Sequence, residues 1–212
     1  MKKRFYKFTL VEMLTVIAII AILAGIVTPV VIISRRRGMV SKAESDVTTL
    51  TAALKQLDTD YKKVLTKDYK TGGKTIDSSK IDSNKVATVD GDVYDAMIAE
   101  LTVPKNSGLA EVSVNKRKKV YLDPRKDFDP TKDYTTQKDL LYRDPWEMPY
   151  KIYVNVDGKD ELKLPGTSKT IVAKFAVYSF GPNKTDDNGC NSDKPICGSS
   201  NCKHDDIASW SL

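Results

Sequence analysis

The sequence predicts an α+β protein: a long N-terminal helix whose first half is transmembrane, and a C-terminal globular head containing a small antiparallel sheet. Three observations carry this expectation. Residues 13–33 contain no formal charge, a run of 21. From Val40 to Val64, apolar residues recur at gaps alternating between three and four. In the C-terminal half, residues 150–156 and 171–180 are rich in β-branched and aromatic side chains and lie near turn-forming residues.

The apolar run is long enough to cross the hydrocarbon core, which takes about 20 helical residues. It is too long for the 7–15-residue core of a cleaved secretory signal, and Ala18, Ala21 and Ala24 do not make an A-x-A exit. Glu12 sits at its mouth, where a carboxylate is costly: about 2.5–3.5 kcal/mol for an acidic side chain at the centre of an inserted helix, less near the interface. An ordinary anchor has no reason to carry it. Pro29 has no amide hydrogen to donate and should kink or loosen the helix one turn before its apolar part ends.

After Arg35, Arg36, Arg37 and Gly38 the pattern becomes amphipathic. Val40, Ala43, Val47, Leu50, Leu54, Leu57, Tyr61 and Val64 form one apolar seam, with Lys42, Glu44, Asp46, Lys55, Asp58 and Lys62 off it. One helix over residues 8–65 follows, its second half packed on the head. A two-stranded coiled coil would want at least three to four heptads, and this seam is barely that, so core packing is the better reading.

Residues 67–92 are polar, contain Gly72-Gly73 and read as a loop. Residues 94–101 (YDAMIAEL) read as a short helix ended by Val103-Pro104. Residues 116–119 (KRKK) read as a solvated surface, since no aromatic platform or nucleic-acid motif accompanies them. Residues 150–156 (YKIYVNV) alternate, Asp157-Gly158 supplies a turn, and residues 161–164 are expected to return as the hairpin partner. Residues 171–180 (IVAKFAVYSF) read as a second, more apolar strand. No internal repeat is evident.

The chain of 212 residues carries 34 basic and 28 acidic side chains, a formal charge of +6. Lys2, Lys3, Arg4 and Lys7 account for +4 of it, leaving 30 against 28, or +2, elsewhere. A positive flank beside an apolar run sets membrane orientation, so the excess is no argument for a nucleic-acid partner. Catalytic signatures are missing as well. The single histidine, His204, leaves little room for a nucleophile–base pair, and no G-x-S-x-G, P-loop, G-x-G-x-x-G or H-E-x-x-H occurs. The chain is therefore not expected to be an enzyme. Cys190, Cys197 and Cys202 fall within 13 residues of one another. Their C-x6-C-x4-C spacing, with His204 beyond, lacks a zinc knuckle and favours a disulfide between two of them in an exported domain.

The run FTLVEMLTVIAIIAILAGIVTPVV from Phe8 resembles the N-terminus of type IV pilins and of the pseudopilins of type II secretion. Two further stretches sharpen the likeness to the major, G-type pseudopilin. Residues 144–150 (DPWEMPY) resemble that family's D-P-W-G-N-P-Y, with Glu147-Met148 in place of Gly-Asn. Residues 177–183 (VYSFGPN) and 205–210 (DDIASW) resemble its Y-S-L-G-A-D and closing D-D-I-x-x-W.

The resemblance implies a basic leader over residues 1–7, cleaved between Lys7 and Phe8 by a prepilin peptidase, and a methylated Phe8. The residue before the cut is usually Gly in the family, and here it is Lys7. Residues 8–33 would be the transmembrane and assembly half of the helix, 34–66 its amphipathic half, and 67–212 the periplasmic or extracellular head. Phe8, Glu12 and Pro29 would serve assembly, Glu12 pairing with the free amine of a neighbouring subunit's Phe8. Two costly charges then compensate each other. By resemblance, a C-terminal loop holds calcium, with Asn183 at a ligand Asp position, Asp205, Asp206 and the Phe180 carbonyl contributing, and Asp186 and Asp187 as alternatives. Clustered oxygens suit calcium's 6–8 ligands. The implied partners are further copies of the chain in a helical homopolymer, minor pseudopilins, an inner-membrane platform protein and an assembly ATPase. The implied location is a bacterial inner membrane, crossed once. Two alternatives remain open: a type IV or minor pilin of a surface fibre, and a non-polymerising membrane-anchored module that binds an extracellular ligand.

Overall fold

A computed structural model describes residues 9–61, 70–71, 74–75, 78–102, 114–123, 142–165, 170–186 and 205–210. The chain divides into two units, residues 1–41 and residues 42–212.

In the first unit the described residues are helical from Leu10 onward, the start of helix α1 (Leu10–Tyr61). The helix is long and apolar enough to cross a membrane by length and composition. Its apolar side chains are uncovered: Leu10 is 82% exposed, Ile22 65% and Ile33 54%. The two hydroxyls inside the run, Thr15 and Thr28, donate back to carbonyls of the preceding turn, Thr28 Oγ1 to Ala24 O at 2.7 Å. Their polarity is thereby satisfied within the helix.

In the second unit, residues 42–61 of α1 bury the predicted seam: Ala43, Val47, Leu50, Leu54 and Leu57 have no exposed surface. Strands β1 (Lys70–Thr71) and β2 (Lys74–Thr75) form a small antiparallel pair, and a 3-10 turn spans Ser78–Lys80. Strand β3 (Val86–Val89) precedes helix α2 (Gly91–Thr102). Strands β4 (Lys151–Asn155), β5 (Leu162–Lys163), β6 (Thr170–Ile171), β7 (Phe175–Ser179) and β8 (Ile207–Ala208) follow. The main sheet is antiparallel in the order β3-β4-β7-β8, and β5-β6 form a separate two-stranded sheet.

Pairing register sorts the sheet into two faces, because side chains alternate along a strand. Ala87, Val89, Ile152, Val154, Phe175, Val177 and Ile207 point one way, and all are buried. On the other face Val86, Tyr153, Ala176, Tyr178 and Ala208 cluster with Leu162, Leu164 and Ile171 of the β5-β6 segment. The seam of α1 is tied to the unit at both ends. Tyr150 donates its hydroxyl to Asp46 at 2.9 Å, while Lys174 is ion-paired with Asp58. Because the sheet is covered on both faces, the polar–apolar alternation of residues 151–155 is not matched by alternating exposure: Ile152, Tyr153, Val154 and Asn155 are all buried, and only Lys151 is partly exposed.

Several expectations need correction. Residues 86–89 lie in the segment expected to be a loop, yet form edge strand β3. Residues 161–164 do not pair with β4, whose two edges are taken by β3 and β7; Leu162 and Lys163 pair with β6 instead. Residues 171–180 are two strands rather than one, interrupted at Val172, which is 92% exposed. The second helix is longer than expected, starting at Gly91, whose φ of 54° suits its missing Cβ.

Candidate functional site

The three stretches that carry the head's resemblance come together at one end of the sheet. Asp144 is the joint. It is 1% exposed, and its Oδ1 accepts the amides of Trp146 at 3.0 Å and Met148 at 2.7 Å. Its own amide donates to Met148 O at 2.8 Å. A buried carboxylate is tolerated when hydrogen bonds replace water, and here they close the Pro145–Pro149 turn. The second oxygen, Oδ2, accepts the hydroxyl of Ser179 at 2.7 Å. Ser179 Oγ in turn accepts the amide of Gly181 at 3.1 Å. One carboxylate thus holds residues 144–150 against residues 177–183.

Within that turn Glu147 has φ 71°, a left-handed conformation that favours glycine.

The closing stretch docks on the same strand. Ile207 pairs with Ser179 and Ala208 with Tyr178, and the Trp210 ring meets Tyr178 edge-on at 5.7 Å. Phe180 meets the same tyrosine edge-on at 5.9 Å. Gly181, φ 67°, lets residues 181–184 turn directly over Asp205: a Cβ there would stand 2.2 Å from the Asp205 carbonyl oxygen. Asn183 donates its amide to Asp205 Oδ2 at 3.2 Å.

The expected calcium residues that are described, Phe180, Asn183, Asp186, Asp205 and Asp206, therefore belong to one neighbourhood. Besides Asp205, which accepts the Asn183 amide, Asn183 and Asp186 already have amide or cationic partners. Asn183 Oδ1 accepts the Thr185 amide at 2.6 Å. Asp186 accepts the Tyr178 hydroxyl at 2.6 Å through Oδ1 and is ion-paired with the Lys151 ammonium through Oδ2. A divalent ion using both side chains would have to displace an amide and an ammonium. Burial opposes the charge on Lys151 more than any one neighbour favours it, but the Asp186 hydrogen bond together with the charge interactions of Tyr153 and Asp186 outweighs burial, and the Lys151 pKa is raised. Burial first, and then neighbouring Tyr153 and Asp186, push the Tyr178 hydroxyl upward, so it stays a donor. Lys7, Phe8, Asp187, Cys190, Cys197, Cys202 and His204 lie outside the described residues, as does the side chain of Pro29.

At the start of α1, Glu12 Oε2 accepts both the amide and the hydroxyl of Thr9, each at 2.8 Å, and Thr9 Oγ1 accepts the Glu12 amide at 3.2 Å. This is a reciprocal capping box. The T-x-x-E spacing that announces it is present in the sequence, and it gives Glu12 a role inside its own chain.

A second cluster, without a motif in the sequence, gathers around Asn115. Asn115, 1% exposed, donates to Glu100 O at 2.9 Å and Lys119 O at 2.8 Å and accepts the Tyr61 hydroxyl at 3.2 Å. It fixes the turn carrying Lys116, Arg117 and Lys118, which are exposed as expected. Lys119 is ion-paired with Asp60.

Compared with models of known families, with curated proteins and with solved structures, the chain gives no match.

Proposed function

We propose that this chain is a pilin-like structural subunit, most like a major pseudopilin, cleaved before Phe8 and polymerised into a filament of a type II secretion-like system. The observation that carries the reading is the uncovered apolar run of residues 10–33 headed by the Thr9–Glu12 box. Such a surface needs lipid in the single subunit and further copies in an assembly. A subunit extracted from the bilayer exchanges one apolar environment for another, so the same residues serve as anchor and as filament core. The contact is heterologous: each copy offers a different surface to the next, and the series does not close. The chain would cross a bacterial inner membrane once, with residues 42–212 outside the cytoplasm.

The convergence of residues 144–150, 177–183 and 205–210 on Asp144 and Tyr178 supports the pseudopilin reading over a generic anchored module. The same features suit a type IV or minor pilin of a surface fibre, and neighbouring genes for a secretin and an assembly ATPase would separate the two. Mass spectrometry of the mature N-terminus tests the reading directly. A methylated Phe8 is expected; an intact Met1 in assembly-competent cells would overturn it.

A further inference from the structure

We infer that Lys151 is the resident cation of the C-terminal loop, its ammonium holding Asp186 where a related loop would use a divalent ion. The inference concerns the site built by residues 177–186 and 205–210 and takes the expectation of calcium from the pseudopilin resemblance. It does not depend on polymerisation.

Four observations place a cation there. Lys151 opens β4 opposite Tyr178, its cross-strand neighbour, so the two side chains share one face of the sheet. The ammonium pairs with Asp186 Oδ2, and the two side chains are only 22% and 34% exposed. The lysine also lies over the Tyr153 ring, 5.6 Å from its centroid, which adds a cation–π contact. Finally, the Tyr153 and Tyr178 hydroxyls are 3.1 Å apart, and Tyr178 donates to Asp186 Oδ1. Both oxygens of Asp186 are thus held from the sheet, one by a positive charge and one by a buried phenol.

The loop's remaining turns are closed by its own amides. Asn183 Oδ1 accepts from Thr185, the Lys184 amide donates to Gly181 O at 3.2 Å, and Asn183 reaches Asp205. A calcium ion organises a loop by gathering carboxylates and carbonyls around one positive centre. Here the positive centre is covalently part of β4. It cannot be diluted away or removed by a chelator, so the loop keeps its fold at any calcium concentration.

The test uses the full chain in detergent micelles, with amide hydrogen exchange of residues 181–186 and thermal melting as readouts. In the wild type, both are expected to be the same in excess calcium chloride and in excess EDTA. A specific ion that binds only the folded state raises Tm with its concentration, so a saturable calcium-dependent rise would overturn the inference. In Lys151→Met, which keeps the aliphatic stem, exchange of residues 181–186 is expected to quicken about tenfold while β4 and β7 stay protected. Unchanged exchange in that variant would also overturn it. Asp186→Asn should reproduce the effect, and the double variant should be no worse than either single one. The wild-type calcium comparison stands even if a variant fails to fold. Neither result bears on whether Phe8 becomes the N-terminus, so this inference and the filament reading fail separately.

Discussion

Ser179 donates its hydroxyl to Asp144 Oδ2 at 2.7 Å, joining residues 35 apart in sequence with both side chains buried. Because Asp144 also receives the Trp146 and Met148 amides, removing it strands three donors at once. An unsatisfied buried donor costs about 1–3 kcal/mol, which applies in full to the Ser179 hydroxyl and in part to the half-buried Trp146 and Met148 amides. Asp144→Ala should therefore lower unfolding free energy by roughly 3–5 kcal/mol. Ser179→Ala removes one bond to a charged acceptor and should cost about 1.5–3 kcal/mol. Denaturant titration of the two variants and their double mutant checks both values. A double mutant as costly as the sum of the singles would mean the two groups act independently.

Two left-handed positions in this neighbourhood should respond to substitution with opposite signs. Glu147 is exposed at φ 71°, where a side chain costs about 1–2 kcal/mol, while Gly in the unfolded chain costs about 0.5–1 kcal/mol more in entropy. Glu147→Gly is expected to leave stability unchanged or raise it by up to about 1 kcal/mol. Gly181 has φ 67° and the Asp205 carbonyl oxygen where its Cβ would be. Gly181→Ala combines the left-handed penalty with overpacking and should cost about 2–4 kcal/mol, loosening residues 205–210. Thermal melting of both variants distinguishes the outcomes.

How far the sequence reveals this structure depends on where each signal resides. The apolar run and the α1 seam are periodic over many residues, and the seam positions from Ala43 to Leu57 are fully buried. The composition of residues 150–156 reveals β4, but not its partners. Pairing is non-local, and a strand flanked by β3 and β7 looks the same in sequence as one paired to its nearest neighbour. Strand β3 is not legible, because four residues between polar turns are too few to show a period. At the site, the motif residues were visible one by one, whereas the Asp144–Ser179 and Lys151–Asp186 contacts exist only once strand register brings them together. The Glu12 cap is legible from the T-x-x-E spacing of residues 9–12 alone.

The far end of the head carries an acid-sensitive contact. Asp60 accepts the Tyr121 hydroxyl at 2.6 Å and is ion-paired with Lys119 at 2.9 Å. Those two hydrogen bonds, the tyrosine's first, hold the Asp60 pKa below its ordinary 3.8. Since the folded value is depressed, the contribution is fully present above 3.8 and is lost as pH falls through the lower folded value. Asp60→Asn should melt below the wild type near neutral pH, and the two Tm curves should converge as pH falls through the depressed folded value, below 3.8. A constant gap across that range would show that the charge of Asp60 contributes nothing to the contact.

The Thr9–Glu12 box separates two roles that a single substitution usually confounds. Glu12 serves its own helix through oxygens that accept from Thr9, and it would serve a neighbouring copy through its charge. Glu12→Gln keeps an acceptor at the third helical position, which the capping box allows, and deletes the charge. Thr9→Ala keeps the charge and deletes the cap, at about 1 kcal/mol of helix stability. In micelles, amide exchange over residues 10–13 should quicken in Thr9→Ala and stay close to wild type in Glu12→Gln. Copy-to-copy cross-linking in membranes should show the reverse order, falling most in Glu12→Gln. If Glu12→Gln cross-links as well as the wild type, charge pairing with a neighbour's amine is not what selects the docked copy, and the carboxylate's work ends at the first turn of its own helix. If Thr9→Ala is the variant that loses cross-linking, assembly depends on an ordered helix start, and Glu12 acts through its shape as a cap rather than through its charge.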